Sequence, residues 1–329
     1  MKTSRGIKKV FSYLFPAFAM GTLLSSCNLY DGEGDCPIIY NVKFLYEMNM
    51  SGGDGFPKQV KSVNLWAFNH STGEFVAEFS DSGEALSKEG YRLDISSLKP
   101  GRYDFIAWCG LGEGASFSVP SDIQSIEDLK CRMTTETVGG EVRSDLPLTP
   151  LFYGSLNNQE LPDEFGEFTY PISLIKDTNN INISLQHRSD EPLTFLDFTI
   201  YMKDQNSYLD YDNSLLGSTT VTYYPWFFSS GDIEFPGEDL NYLKAELSTS
   251  RLMADQNPII TIIDNDNGNT IYSIPIVEWA KKLRSAQHLS MDDQEYLDRQ
   301  HEYDLILLLI NDGAGWKAES LQINGFDIE

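Results

Sequence analysis

Apolar and polar residues alternate in short runs along most of the chain beyond residue 36, and these runs are rich in β-branched and aromatic side chains. Successive side chains of a β-strand point to opposite faces, so this pattern is typical of strands with one buried face. In the first half the runs cover residues 38–46, 60–68, 75–79 and 103–108, with turn-forming residues at 51–55, 70–73 and 99–101. The first half is therefore predicted to be a β-sandwich.

The second half repeats this pattern after a polar, acidic passage, NNQELPDEFGE, at residues 157–167. Alternating runs resume at 168–185, 195–202, 219–224, 259–263 and 269–274. The run LILLLI at 305–310 is too short to span a bilayer and predicts a buried strand. We therefore place a domain boundary near residue 165 and predict two β-sandwich domains in tandem, 37–165 and 166–329.

A short helical insertion is predicted in the second domain. One apolar face at helical spacing is formed by Ile276, Val277, Ala280 and Leu283. Ser290 with Asp293 resembles a capping box, which predicts a second short helix that ends near Arg299.

The first 26 residues have the order of a bacterial lipoprotein signal peptide. Basic residues precede an apolar stretch at 10–24, which is shorter than the roughly 20 residues of a spanning helix. The sequence LSSC at 24–27 resembles a lipobox, which predicts cleavage between Ser26 and Cys27 and acylation of Cys27. Residues 27–36 then form a flexible acidic tether, and an acidic patch there resembles a signal for export to the outer face of the outer membrane.

The charge of the chain excludes one class of partner. The formal net charge is −25, and the signal peptide carries four basic and no acidic residues, so the mature chain carries about −29. Such a field repels phosphate backbones, so nucleic acid is excluded as a partner. An apolar content of 41% is enough to build cores, which argues against a disordered chain.

Three cysteines remain after Cys27, so one disulfide at most forms within the chain. We favour Cys109 with Cys131, a pair that closes a loop of about 23 residues and stabilises by about 3 kcal/mol if its geometry is unstrained. Pairing of Cys36 with either of them stays open.

No reactive motif stands out in the sequence. The four histidines lack metal-ligand spacing, and there is no GxSxG elbow, P-loop or GxGxxG fingerprint. The segment DNDNG at 264–268 lacks the ligand spacing of a calcium loop and predicts an Asn-Gly hairpin turn. The aromatic run YYPWFF at 223–228 suits a sugar platform or a protein contact, although such runs more often pack in cores and at sheet edges. We therefore predict no catalytic residue, no metal and no cofactor.

Five segments together resemble the fimbrillin-associated anchor family. They are DCP at 35–37, LFYGS at 151–155, LIKDTNNINISL at 174–185, QEYLDRQHEYDL at 294–305 and INGF at 323–326. The most distinctive is QEYLDRQHEY, whose leucine, arginine and tyrosine predict a helix end that packs onto the following strand. The resemblance implies two transthyretin-like β-sandwich domains and a lipid anchor that attaches the protein to the outer membrane through acylated Cys27. It also implies that the protein is a subunit that attaches a fimbrial shaft and limits the length of that shaft.

The resemblance also implies a mode of contact with the fimbrial shaft subunit. Fimbrial subunits of this kind insert a strand of one subunit into a groove of the next. The polymerising relatives lose their first strand, whereas anchors keep it, so residues 38–46 are expected to stay paired in their own domain. We hypothesise that residues 321–328 form the exchange strand, whose apolar positions are Leu321, Ile323, Phe326 and Ile328. We also expect that deletion of these residues leaves the protein folded. The alternative is a surface-exposed glycan-binding lipoprotein that uses Trp226 and its neighbours.

Overall fold

The structure is a computed structural model, and it describes residues 37–188, 192–217, 219–235, 238–285 and 288–328. The signal peptide, the tether and Cys27 lie outside the described residues. The strands are β1 (Ile38–Leu45), β2 (Ser62–Asn69), β3 (Phe75–Ser82), β4 (Leu93–Asp94), β5 (Gly101–Cys109), β6 (Phe117–Ser118), β7 (Cys131–Met133), β8 (Glu136–Val138), β9 (Glu141–Ser144), β10 (Phe152–Leu161), β11 (Gly166–Ser173), β12 (Ile175–Lys176), β13 (Thr178–His187), β14 (Phe198–Asp204), β15 (Tyr208–Leu209), β16 (Val221–Tyr223), β17 (Phe227–Phe235), β18 (Glu238–Ser250), β19 (Ile259–Asp264), β20 (Thr270–Pro275), β21 (Glu302–Asn311), β22 (Trp316–Ile323) and β23 (Phe326–Ile328). The helices are α1 (Phe56–Gln59), α2 (Ile276–Lys282) and α3 (Asp293–Arg299), with 3₁₀ turns at Glu84–Ser87 and Ile126–Asp128.

The N-terminal sandwich consists of a three-stranded and a five-stranded sheet. Their strand orders are β11-β1-β4 and β12-β10-β5-β2-β3. Alternate residues of β1, such as Tyr40, Val42 and Phe44, share one core with alternate residues of the facing sheet, such as Leu65 and Phe105. The period of two in the sequence therefore corresponds to the inward faces of these strands.

The first strand, β1, is held on both sides within this sandwich. It pairs in parallel with β11 over all eight of its residues, from Ile38 opposite Gly166 to Leu45 opposite Ser173, and antiparallel with β4. The segment is therefore paired within this chain, as expected, but its longer partner β11 lies beyond the predicted domain boundary at residue 165.

The C-terminal sandwich consists of two six-stranded sheets. Their orders are β17-β18-β13-β21-β22-β23 and β20-β19-β14-β16-β9-β8. In β21, Leu305, Leu307 and Leu309 are buried and alternate with Ile306 and Leu308 on the other face. The predicted strand at LILLLI is confirmed, but it is buried on one face only and its last residue, Ile310, is 41% exposed. A mainly β fold built of β-sandwiches is also confirmed.

The two sandwiches exchange segments along the chain. The strand β9 pairs in parallel with β16 in the second six-stranded sheet, and β7 pairs with β15 in a separate three-stranded sheet of order β15-β7-β6, so residues before 165 form sheets with strands of the second half. Conversely, β11 lies after residue 165 and pairs with β1. The division at residue 165 stays a prediction. The pairing of β1 with β11 favours a later crossover, near Asp177 between β12 and β13, whereas β7 and β9 pair with the second half from an earlier part of the chain.

Both predicted helices are present in the insertion. Ile276, Val277 and Ala280 of α2 are buried, as their spacing predicted. The second helix, α3, begins at Asp293, and its N-cap is Asp292. The Asp292 side chain accepts a hydrogen bond from the Glu295 N–H at 2.7 Å. The predicted cap at Ser290 is thus replaced by a carboxylate that reaches the same first turn. No helix in the described part of the chain is long and apolar enough to cross a membrane.

Candidate functional site

Two of the segments that carried the family resemblance meet in the interior around one arginine. The Arg251 guanidinium forms two hydrogen bonds with Asp298, Nε to Oδ1 at 2.9 Å and Nη2 to Oδ2 at 2.7 Å. Its Nε also lies 3.6 Å from Oδ1 of Asp177. Asp177 belongs to LIKDTNN and Asp298 to QEYLDRQ, and all three residues are buried.

Amide side chains complete this arrangement, which we name the Arg251 cluster (Asp177, Asn213, Arg251, Gln294 and Asp298). The Asn213 side-chain amide donates to Asp177 Oδ1 at 3.0 Å, and the Asn213 backbone carbonyl accepts from Arg251 Nη1 at 2.6 Å. Gln294 donates to Asp298 Oδ1 at 2.8 Å. The cluster thus ties α3 to the link between β12 and β13, and buried charges that are paired and hydrogen-bonded in this way hold one relative arrangement of their elements.

Burial sets the protonation of the cluster. It raises the pKa of Asp177 to about 7, against the lowering effects of Arg251 and the Asn213 hydrogen bond. Burial alone lowers the pKa of Arg251, but the hydrogen bonds and charges of Asp298 and Asp177 raise it above its ordinary value, so the guanidinium stays charged. The charged groups of the cluster are buried and paired with one another, whereas Asp177 Oδ2 and Asn213 Oδ1 are buried without a hydrogen-bond partner among the described residues.

The end of α3 also contacts the loop that follows β1. Arg299 donates from Nη1 to the Glu47 carbonyl at 3.1 Å and pairs with Glu295 at 2.9 Å. His301 is buried beside the Tyr46 ring, with 6.3 Å between centroids, and burial together with the charge of Lys176 lowers its pKa to about 3. The segment QEYLDRQHEY is the end of α3 followed by the start of β21, and its Leu297 and Tyr303 are buried in the same core. Its arginine, by contrast, contacts the loop after β1 and not the following strand, and the prediction did not identify Asp298 and His301.

The segment LFYGS brings the two sheets of the N-terminal sandwich together. A Cβ atom on Gly154 would lie 2.6 Å from Cγ2 of Ile172 and 2.8 Å from the Ser173 carbonyl oxygen. Only glycine fits this approach of β10 to β11. The neighbouring Tyr153 hydroxyl donates to the Tyr211 carbonyl at 3.0 Å, which links the segment to the second half of the chain.

The four residues of the predicted exchange strand fall into two groups. Leu321 and Ile323 lie in β22 and are buried in the C-terminal core. Phe326 and Ile328 lie in β23, the three-residue edge strand of the same sheet, where Phe326 is 44% exposed. The segment INGF is the tight turn between them, with positive φ at Asn324 and Gly325. The expectation that residues 321–328 can be deleted without unfolding conflicts with the burial of Leu321 and Ile323.

The aromatic run lies at the opposite edge of that sheet. Trp226 is 38% exposed and Phe227 44% exposed, and their rings lie 5.7 Å apart. Phe228 packs against Phe195, with centroids 5.8 Å apart. Tyr223, by contrast, is fully buried, and its hydroxyl donates to Asn206 Oδ1 at 2.6 Å. The run is thus split between a core half and an edge half.

The two described cysteines are not joined. Cys109 and Cys131 are both free and buried, Cys109 in the N-terminal core and Cys131 in the C-terminal core. The predicted Cys109–Cys131 disulfide is not formed in this structure because β5 and β7 direct these thiols into different cores. Cys36 and the cleavage site at Ser26 and Cys27 lie outside the described residues.

The acidic turn at 264–268 is a hairpin, as predicted. Gly268 has a φ of +72° and its N–H donates to the Asp264 carbonyl at 2.8 Å. The Asp264 carboxylate accepts from Asn267 at 2.7 Å and from the Trp316 N–H at 3.0 Å, so it braces the turn against β22.

Comparison with known proteins places these features in a family. The family model described as fimbrillin-A associated anchor proteins Mfa1 and Mfa2 matches residues 33–329. No curated protein sequence matches the chain.

Solved structures agree with the family match. A candidate adhesin from Bacteroides thetaiotaomicron VPI-5482 is 30% identical with a TM-score of 0.76, over 91% of this chain and 99% of that chain. A candidate polysaccharide-binding protein from the same organism is 26% identical with a TM-score of 0.74, over 88% and 97%. The fimbrial anchor protein Mfa2 from Porphyromonas gingivalis shares the fold, at 15% identity and a TM-score of 0.64, over 89% and 99%.

The family match therefore covers the elements described above, including the Arg251 cluster and the two edges, β17 and β23, of the first six-stranded sheet. This chain belongs to the family of fimbrillin-A associated anchor proteins.

Proposed function

We propose that this chain is an outer-membrane lipoprotein that anchors a fimbrial shaft to the cell surface and ends its growth. The observation that carries the proposal is the family match over residues 33–329, and the fold shared with a fimbrial anchor protein supports it. The role is structural, since the family is one of fimbrial anchor proteins and the buried polar groups of the Arg251 cluster are used in packing.

The membrane attachment in this proposal is the acylated Cys27. The sequence LSSC at 24–27 supports it, because a cysteine that follows a basic and apolar leader with small residues before it is the acceptor in bacterial lipoproteins. Two or three acyl chains on one residue hold a protein in a membrane, whereas a single chain binds only marginally. The acidic residues Asp31, Glu33 and Asp35 support exposure on the outer surface.

The contact with the shaft subunit is proposed to be a strand exchange. The pairing of β1 supports a terminal position, because a sandwich that keeps its own first strand has no gap for the strand of another subunit there. The burial of Leu321 and Ile323 narrows the proposed exchange segment to β23, since β22 is needed for the core. Phe326 and Ile328 are then the residues through which this end of the sheet meets the shaft.

The anchor proposal is tested by purifying the tagged protein from native outer membranes and identifying its partners by mass spectrometry. The test variant is Cys27→Ala, and the matched control is Cys36→Ala, which removes a nearby thiol outside the lipobox. We expect fimbrial subunits with the wild-type and Cys36→Ala proteins, and release of the Cys27→Ala protein to the medium together with detached fimbriae. Absence of any fimbrial subunit from the wild-type sample would overturn the proposal.

A second candidate function is glycan binding at the cell surface. The observation that favours it is the exposure of Trp226 and Phe227 at a sheet edge, since aromatic faces stack on sugar rings. It is tested by glycan-array binding of the secreted Cys27→Ala protein beside a Trp226→Ala version. Oligosaccharide-uptake components in place of fimbrial subunits in the purification would favour this function over anchoring.

A further inference from the structure

Most sheet edges in the described residues carry a feature that blocks pairing with another chain. The edge strands β4, β6, β8, β12, β15 and β23 are only two or three residues long. Longer edges are interrupted: β11 contains Pro171, and β20 has a register shift and ends at Pro275. In β3 there is a register shift, and the Phe75 N–H is occupied by the Gln124 carbonyl at 2.8 Å. Short length, proline and bulges are the means by which proteins protect sheet edges.

The edge strand β17 lacks these features. It is nine residues long, contains neither proline nor lysine, and its register against β18 is uninterrupted from Phe227 opposite Glu246 to Phe235 opposite Glu238. Within the described residues, β18 is the only strand that pairs with it. One side of its backbone is therefore available to a further strand, and each residue pair added would contribute hydrogen bonds of the ladder type.

Apolar side chains surround the start of this edge. Trp226 and Phe227 are partly exposed at its first residues, and Phe195, which packs against Phe228, is 55% exposed. Leu196 beside it is 70% exposed. Exposed aromatic side chains clustered in this way are typical of surfaces that bind protein, because they bury much apolar area with little loss of side-chain entropy.

Charge decides which strand fits this edge. Asp232 is exposed on β17, and the whole chain carries −25. A second copy would bring an equally acidic protein and another Asp232 to the same ladder, and like charges on paired strands oppose association. The edge therefore suits a neutral or basic extended segment with apolar residues at alternate positions.

We propose that the β17 edge, with Trp226, Phe227, Phe195 and Leu196, binds such a segment of the fimbrial shaft subunit by strand addition. This inference rests on the proposed function for the identity of the partner. With this contact, the sheet that runs from β17 to β23 would meet the shaft subunit at both of its edges, the short β23 and the long β17. The β17 edge would be the one that receives a strand of the shaft subunit.

The experiment places a photo-cross-linking residue at each of two edges of the full-length, membrane-bound protein. Ser230→p-benzoylphenylalanine puts the probe on β17, and Ser80→p-benzoylphenylalanine puts it on the interrupted edge β3; both serines are exposed. After irradiation in cells, the tagged protein is purified and its cross-linked partner is identified by mass spectrometry. We expect a fimbrial subunit cross-linked at Ser230 with a yield at least tenfold above that at Ser80.

A second pair of variants measures the strength of the contact. Phe227→Lys adds a charge to the β17 edge, and Val76→Lys, at a residue that is 43% exposed on β3, is its control. We expect Phe227→Lys to lower the fimbrial subunit recovered with the protein at least tenfold, with retention in the outer membrane unchanged, and Val76→Lys to have no effect.

The outcomes separate the two proposals. If the wild-type protein recovers fimbrial subunits but Ser230 cross-links to nothing or to a second copy of this chain, the β17 proposal is overturned and the anchor proposal stands. If Phe227→Lys recovers as much subunit as Val76→Lys does, the β17 proposal is again overturned. If the wild-type protein recovers no fimbrial subunit, both proposals fall.

Discussion

The Arg251 cluster places charged side chains in the interior, whereas the β17 edge places aromatic side chains at the surface. The cluster buries an arginine and two aspartates, Asp177 and Asp298, whereas the edge exposes aromatic side chains such as Trp226 and Phe227. Three of the five cluster residues, Asp177, Gln294 and Asp298, come from the segments that carried the family resemblance, and the edge residues do not. The difference indicates that the shared segments build the frame of the fold, and that a surface able to meet a partner lies elsewhere.

The largest expected effect is on the Arg251 cluster. Arg251→Met leaves Asp177 and Asp298 buried without their cation, so we expect the free energy of unfolding to fall by about 3–5 kcal/mol. The control is Arg299→Met, which removes an ion pair with Glu295 at a partly exposed site and is expected to cost less than about 1 kcal/mol. Urea unfolding followed by circular dichroism measures both; similar losses for the two variants would contradict a special role of the cluster.

The next largest effect on stability is expected to distinguish β22 from its neighbour β23 at the edge of the sheet. Ile323→Ala removes fully buried methyl groups of β22 and is expected to cost about 2–4 kcal/mol. Phe326→Ala, on the exposed face of β23, is expected to cost less than about 1 kcal/mol. Thermal unfolding of the two variants checks this, and an equal loss would show that β23 is packed as firmly as the core.

A smaller effect follows from a buried carboxylate outside the cluster. Burial raises the pKa of Asp204 to about 6, although the Gln205 N–H bonds to it. A raised pKa in the folded state means that the stability contributed by the protonated form is present below about pH 4 and is lost as the pH rises through 6. Asp204→Asn is therefore expected to be more stable than the wild type at pH 8, by about 2 kcal/mol, and equally stable near pH 4.

The measurement for Asp204 is urea unfolding at several pH values between 4 and 8. The matched control is Asp232→Asn, which removes an exposed carboxylate of β17. A constant difference between Asp204→Asn and the wild type over this range would show that the carboxyl does not titrate there.

The smallest effect is expected at the β17 edge. Trp226→Ala removes a partly exposed ring, so we expect the melting temperature to change by less than about 2 °C, within the range of ordinary surface substitutions. Differential scanning calorimetry checks this. A larger drop would mean that Trp226 supports the fold and would weaken the contrast between frame and edge.

The local parts of the fold were predictable from the sequence, and the partners of its strands were not. Alternation in LILLLI and the turn chemistry of DNDNG depend on neighbouring residues, so a single sequence contains the information. The pairing of β9 with β16, or of β1 with β11, joins residues that are distant in the chain, and nothing local specifies it. For the same reason the boundary at residue 165 divides segments that the sheets join.

The candidate site followed the same rule. Asp177 and Asp298 lie in segments singled out by the sequence analysis, but Arg251 joins them from a third segment, so the cluster has no sequence signature of its own. The favoured pairing of Cys109 with Cys131 depended on the number of cysteines and on loop length, which do not show the direction of the thiols. In the structure β5 and β7 direct them into separate cores.

The parallel pairing of β1 with β11 has a mechanical consequence. A pull on the chain before Ile38, directed along β1, loads the whole ladder with β11 in shear, so its eight residue pairs must yield together and not one after another. If the chain is tethered through Cys27 and loaded by a filament, as proposed, β1 is the first described strand to bear the tension, and it bears that tension in shear.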